Sequence, residues 1–204
     1  LKYRNTDIDL SIPDMSGEKW QAIWGNRTLS KTAYDWTDGD TSIMLFIHVD
    51  NYNRPLDILM HNEMLAFTGE EPVDGEFIEY KPENSPTQVI LVDILQAIST
   101  PPIGKKGRKL AIILSAWDKA EDTRKSPEEF LCTEFPFLNQ FLNFGGFFSE
   151  TKIFGVSAQG GDLKLHEDAE RLKAIKIPSE RIKVILDNEL SHDLTIPIKW
   201  LIES

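Results

Sequence analysis

The sequence predicts an α/β fold: a three-layer, mostly parallel sheet with helices on both faces. Three observations lead there. Continuous apolar runs at 42–50 (SIMLFIHVD), 109–116 (KLAIILSA) and 151–158 (TKIFGVSA) have the length and composition of strands buried on both faces. Segments with apolar residues at helical spacing lie between and after them. Each run ends abruptly in small or acidic polar residues. Strand–helix alternation implies parallel pairing through crossover units. In such sheets ligands bind at the carboxyl ends of the strands, where these polar residues fall.

The remaining elements follow in chain order. Residues 6–14 (TDIDLSIPD) alternate Ile8, Leu10 and Ile12 against Asp7, Asp9 and Ser11, a strand pattern. Residues 51–86 are rich in Pro, Gly, Asn and Glu and read as an irregular insertion. A helix is expected over 85–99, with Ser85 as N-cap, Pro86 in the first turn, and Val89, Val92, Leu95 and Ile98 on one face. Residues 104–109 (GKKGRK) read as a solvated basic turn. Over 126–144, Ser126, Pro127 and Glu129 match a capping box, and Pro136 should break or kink the helix. A short helix over 165–175, a weaker fifth strand over 181–186, an acidic turn at Asp187–Glu189 and a terminal helix over 197–204 complete the reading. No repeat, low-complexity tract or domain boundary interrupts the chain, so 1–204 reads as a single domain.

Composition bounds the function. The 204 residues carry 22 Lys+Arg against 33 Asp+Glu, a net charge of −11. Such a balance argues against nucleic acid as a partner and against docking on anionic membranes. No apolar run approaches a bilayer's thickness, and no signal peptide is visible. The single cysteine, Cys132, excludes an internal disulfide and fits a reducing, cytoplasmic setting. Cys132 and His48 both fall in apolar stretches and read as core residues. The four histidines (His48, His61, His166, His192) show no metal-ligand spacing. The Phe-rich run 135–148 reads as core, with an exposed protein-partner patch as the alternative.

Three strand ends agree with one another: IPDMSGEKW (12–20), ILSAWDKAE (113–121) and FGVSAQGGD (154–162). In order and content they resemble the third, fourth and fifth motifs of Ras-like P-loop GTPases. Asp14-Met15-Ser16-Gly17 matches Asp-x-x-Gly, Ser115-Ala116-Trp117-Asp118 stands at Asn/Thr-Lys-x-Asp, and Ser157-Ala158-Gln159 stands at Ser-Ala-Lys. The chemistry needs these residue types. A carboxylate after a strand can hold a magnesium-bound water beside phosphates, which suits Asp14. Gly17 lets the backbone approach the terminal phosphate. Asp118 can accept the two N–H donors of a guanine edge, a pair adenine lacks. The Ala158 N–H can donate to the guanine carbonyl.

More closely, the chain is similar to the bacterial double-GTPase proteins of conflict systems, through 85–96 (SPTQVILVDILQ) and 191–202 (SHDLTIPIKWLI). The resemblance implies a P-loop GTPase-like fold, GTP or GDP and Mg²⁺ as cofactors, hydrolysis of GTP, and protein partners in a multi-component system.

The sequence also departs from the pattern. No Gly-x-x-x-x-Gly-Lys-Ser/Thr precedes Asp14, and Gly104-Lys105 is followed by Lys106. Because the chain begins at Leu1, the expectation is that an N-terminal part carrying the P-loop is missing here, and that the isolated chain is inactive. Ala116 and Gln159 replace lysines, and Ser115 keeps only a hydroxyl. Trp117 admits two readings, a base-stacking platform or a core residue. Glu18, beside Gly17, is either a water-orienting catalytic group or a surface charge. The alternatives to a GTPase are a catalytically inactive scaffold or interaction module and an unrelated flavodoxin-like domain.

Overall fold

The computed structural model describes residues 2–3, 6–7, 17–26, 28–37, 41–55, 67, 81, 84–120 and 125–203. Strands β1 (Lys2–Tyr3) and β2 (Thr6–Asp7) pair antiparallel as a separate ribbon. Of the strand expected over 6–14, residues 8–14 lie outside the described residues. Helices α1 (Gly17–Asn26) and α2 (Lys31–Thr37) follow.

The main sheet comprises β3 (Ile43–His48), β4 (Arg108–Ser115), β5 (Phe148–Ser157), β6 (Lys183–Leu186) and β7 (Glu189–Ser191), side by side in that order. β3, β4 and β5 are mutually parallel, as their apolar runs predict. β4 divides the core by strand alternation. Leu110, Ile112 and Leu114 face one side, with Leu95, Phe130, Leu131, Phe135 and Leu138. Ala111 and Ile113 face the other, with Phe154, Val184 and the partly buried Ile196, Trp200 and Leu201. A fully buried leucine contributes about 1.5–3 kcal/mol, which is why the central strand carries so little polarity.

Helix α3 (Thr87–Ile98) buries Val92, Leu95 and Ile98 against the first side. Its N-cap is Pro86 rather than the expected Ser85, which is itself buried. The main chain of Asn53 accepts from Thr87 N–H at 2.9 Å, so the two ends of the intervening segment meet. Helix α4 (Pro127–Glu134) opens with the predicted capping box: Ser126 Oγ accepts from Glu129 N–H at 3.1 Å, and the Glu129 carboxylate accepts from Ser126 N–H at 2.9 Å. Pro136 ends that helix outright. Phe135, disfavoured from helical geometry by the following proline, sits at φ −128, ψ 55, and α5 (Pro136–Phe144) starts afresh.

The sheet is mostly parallel, as expected, but not wholly: β6 runs antiparallel to β5. The connecting helix α6 (His166–Ala174) buries only Leu172, so it has no apolar face with which to cross the sheet. The chain therefore re-enters from the edge where β5 ended. The acidic turn is a hairpin: Asp187 (φ 49) and Asn188 (φ 65) take the left-handed pair that a two-residue connection requires, and β7 returns antiparallel. Helix α7 (Ile196–Ile202) follows it. Two expectations need correction, the reading of His48 and Cys132 as core: His48 ends β3 on the outward side, while Ile43 and Ile47 point in. Cys132 is exposed, one helical step beyond the buried Phe130 and Leu131. Within the Phe-rich run, Phe135 and Leu138 are core, whereas Phe144 is 85% exposed.

Among the described residues no helix is long and apolar enough to cross a membrane.

Candidate functional site

The parallel register pairs Ser115 at the end of β4 with Val156 near the end of β5, and with His48 at the end of β3. Three strand tips therefore open on one edge of the sheet. The Ser115 hydroxyl donates to Ile47 C=O at 3.2 Å, and its own carbonyl accepts from Val49 N–H at 3.1 Å. That hydroxyl laces the first two tips together.

Beyond Ser115 the chain turns sharply. Ala116 takes the left-handed region (φ 55, ψ 43), which costs a non-glycine residue about 1–2 kcal/mol. The reversal sends Trp117 inward and Asp118 to the rim. Of the two readings of Trp117, the structure gives the buried one: it is 2% exposed and meets Phe130 edge-on at 5.5 Å between centroids. Gly155 on β5 makes room for it, since a Cβ there would lie 2.7 Å from the indole.

Asp118 is half-buried and held from β5. The Ser157 hydroxyl donates to Asp118 Oδ1, and the same Oγ accepts from Gly160 N–H at 2.8 Å. Ser157 is fully buried, so this bridge is shielded from competing water. Gly160 takes φ 77, and a Cβ on it would lie 2.1 Å from the Arg181 carbonyl oxygen. Ala158 and Gln159 are exposed beside Asp118, and neither N–H has an acceptor among the described residues. A fixed carboxylate next to free backbone donors suits the edge of a guanine base.

The structure thus brings Ser115, Asp118, Ser157, Ala158 and Gln159 to one edge. Gly17 and Glu18 lie in the first turn of α1, and Asp14 lies outside the described residues. Among the described residues no cluster of three or more His, Cys, Asp or Glu side chains is arranged to hold a metal.

Sequence reasoning missed a second cluster on this edge. Asp50 accepts from Lys119 at 3.0 Å and faces His48 Nδ1 at 2.5 Å. The hydrogen bond to Lys119 holds the Asp50 carboxyl below the usual range, and the same bond raises the lysine. Lys119 follows Asp118 directly, so the ion pair ties the turn after β4 to the tip of β3. These groups wall a cavity of about 310 Å³, floored by Val49 and Phe130 and closed by Arg54 and Glu134, which pair at 3.1 Å. Burial, then the 2.6 Å hydrogen bond to Glu134, pushes the Tyr52 hydroxyl above its ordinary pKa. The signal lay in an acidic residue just past the His48 strand end and a lysine just past Asp118, but nothing in either stretch indicates that they meet.

The sequence model of the family described as Double-GTPase 1 matches residues 1–201. Neither the curated proteins nor the solved structures hold a significant match. With a match over nearly its whole length, on a chain whose strand ends at 113–121 and 154–162 lie side by side, this protein belongs to the Double-GTPase 1 family and is a GTPase-like domain.

Proposed function

We infer that residues 1–204 form one P-loop GTPase-like domain that binds a guanine nucleotide with Mg²⁺ and hydrolyses GTP when a P-loop is supplied from outside this sequence. The observation that carries the reading is the pairing of Asp118, oriented by Ser157, with the free N–H groups of Ala158 and Gln159 on the neighbouring tip. Asp118 accepts from the two N–H donors of guanine, and Ala158 donates to its carbonyl. Gln159, exposed beside Asp118, is assigned to cover one face of the base in place of a lysine. Ser115 fixes the turn from below, and Trp117 anchors it in the core rather than stacking on the base.

Toward the phosphates, we assign Asp14 to a magnesium-bound water, Gly17 to the terminal phosphate and Glu18 to the attacking water. The ion would neutralise phosphate charge there. Family likeness supports a place in a bacterial conflict system.

A second reading, an inactive scaffold, is favoured by Ala116 and Gln159 in place of lysines. One titration separates the two. A fluorescent GTP analogue is added to the full-length protein with and without Mg²⁺, and Asp118→Ala is compared. The GTPase reading expects a guanine preference that falls about 100-fold on losing two hydrogen bonds to a charged acceptor. Equal binding of adenine and guanine nucleotides by the wild type sinks it.

A further inference from the structure

We propose that the Arg171–Asp168 pair of α6 positions the base-pocket loop, residues 158–162, so that its backbone donors meet the purine edge. The proposal rests on the guanine reading above.

The loop departs from β5 without secondary structure of its own, so something else must fix it. Arg171 Nη2 donates to Gly160 C=O at 2.9 Å and to Asp168 Oδ1 at 2.6 Å. Asp168 Oδ2 accepts from Asp162 N–H at 2.9 Å. One guanidinium–carboxylate pair therefore holds the loop at both ends of Gly161. The contact is close: a Cβ on Gly161 would lie 2.6 Å from Arg171 Nη2 and 2.8 Å from the Asp168 carboxyl. From the other side, the carbonyl of Arg181 presses on Gly160. Arg181 also donates to Ile175 C=O at 2.9 Å, tying that backing turn to the end of α6.

The connection runs on to the base. Arg171 holds the Gly160 carbonyl, the Gly160 N–H donates to Ser157 Oγ, and Ser157 donates to Asp118 Oδ1. A single line of hydrogen bonds joins α6 to the base-reading carboxylate. Helix α6 has little else to hold it, since Leu172 is its one buried residue. Hydrogen bonding to Arg171 lowers the Asp168 pKa. Both bonds leave one nitrogen, Nη2, whose two hydrogens lie fixed in the guanidinium plane, whereas a lysine ammonium rotates freely. The Arg171 and Asp168 side chains are 45% and 28% exposed, so substitution leaves the core intact.

The test uses full-length wild type, Arg171→Ala and Arg171→Lys. GDP and 6-thioguanosine diphosphate compete against a fluorescent GDP. The thio analogue keeps the edge that Asp118 reads but replaces the carbonyl oxygen with a weak acceptor. Arg171→Ala should weaken GDP about five-fold, the worth of one neutral hydrogen bond, and leave the thio analogue within about two-fold. Arg171→Lys should fall between. In nucleotide-free protein, exchange of the hydrogen-bonded Gly160 and Asp162 amides should quicken about ten-fold in Arg171→Ala. Equal weakening of both nucleotides, or unchanged exchange, overturns the proposal. Should the wild type bind adenine and guanine nucleotides alike, the guanine reading falls, and the exchange rates alone decide the positioning role.

Discussion

The two strand tips that meet at the rim, those of β4 and β5, are built by opposite means. The turn after β4 is pinned by a buried tryptophan, with Trp117 2% exposed between Phe130 and Gly155. The loop after β5 is pinned by polar contacts, through Ser157 below and Arg171 and Asp168 on one side. Apolar burial is non-directional and strong, so the first tip gains stability from its anchor. Hydrogen bonds contribute little net energy but fix direction, so the second tip gains orientation. The two meet at one atom, Asp118 Oδ1, where the Ser157 hydroxyl joins them.

Trp117→Ala tests the first tip and should have the largest effect. Removing a buried indole costs about 3–5 kcal/mol, and the released turn would no longer hold Ala116 in its left-handed conformation. Chemical denaturation should show a fall of that size in unfolding free energy. A loss below about 1 kcal/mol would mean that the tip does not depend on its apolar anchor.

Ser157→Ala tests the junction. It removes the donor to Asp118 Oδ1 and leaves the buried Gly160 N–H without its acceptor, at a cost of about 1–3 kcal/mol. Guanine preference should fall along with stability, whereas Trp117→Ala lowers stability first. If Ser157→Ala weakens adenine and guanine nucleotides alike, the bridge does not orient the carboxylate.

How far this was legible in the sequence follows the same division. β4 was legible because its stretch from Leu110 to Leu114, covered on both faces, has no polar position to mislead. The capping box of α4 was legible because it is local. β7 was not: it has three residues, and its Leu190 is exposed. The reversal of β6 depended on what α6 lacks, an apolar face. His48 and Cys132 were misread because apolar neighbours do not say which way a side chain turns. At the site, Asp118, Ser157 and Ala158 stood out as strand ends, since the parallel register brings such ends together. The contacts that orient them were hidden. Asp50–Lys119 joins residues far apart in sequence, and Asp168–Arg171 looks like any solvated pair on one helix face.

The smallest effect is expected from a polar anchor remote from the rim, Asp193, which separates orientation at the site from polar contacts in general. Its carboxylate accepts from Lys199 Nζ at 2.6 Å and from Thr195 N–H at 2.8 Å, closing the start of α7. The Lys199 hydrogen bond, followed by those from Thr195, lowers its pKa to about 2 from 3.8. A carboxyl depressed in the folded state adds stability above its unfolded pKa, and that stability is lost as pH falls from about 4 through 2. The Asp193 side chain is 43% exposed, so solvent screening holds the contribution to about 0.5 kcal/mol. Asp193→Asn should lower stability by that amount at pH 7 and by almost nothing near pH 2, with guanine preference and the exchange rates of 158–162 unchanged. A change in nucleotide selectivity in this variant would mean that orientation at the rim is set by the whole sheet, not by the contacts of its two tips.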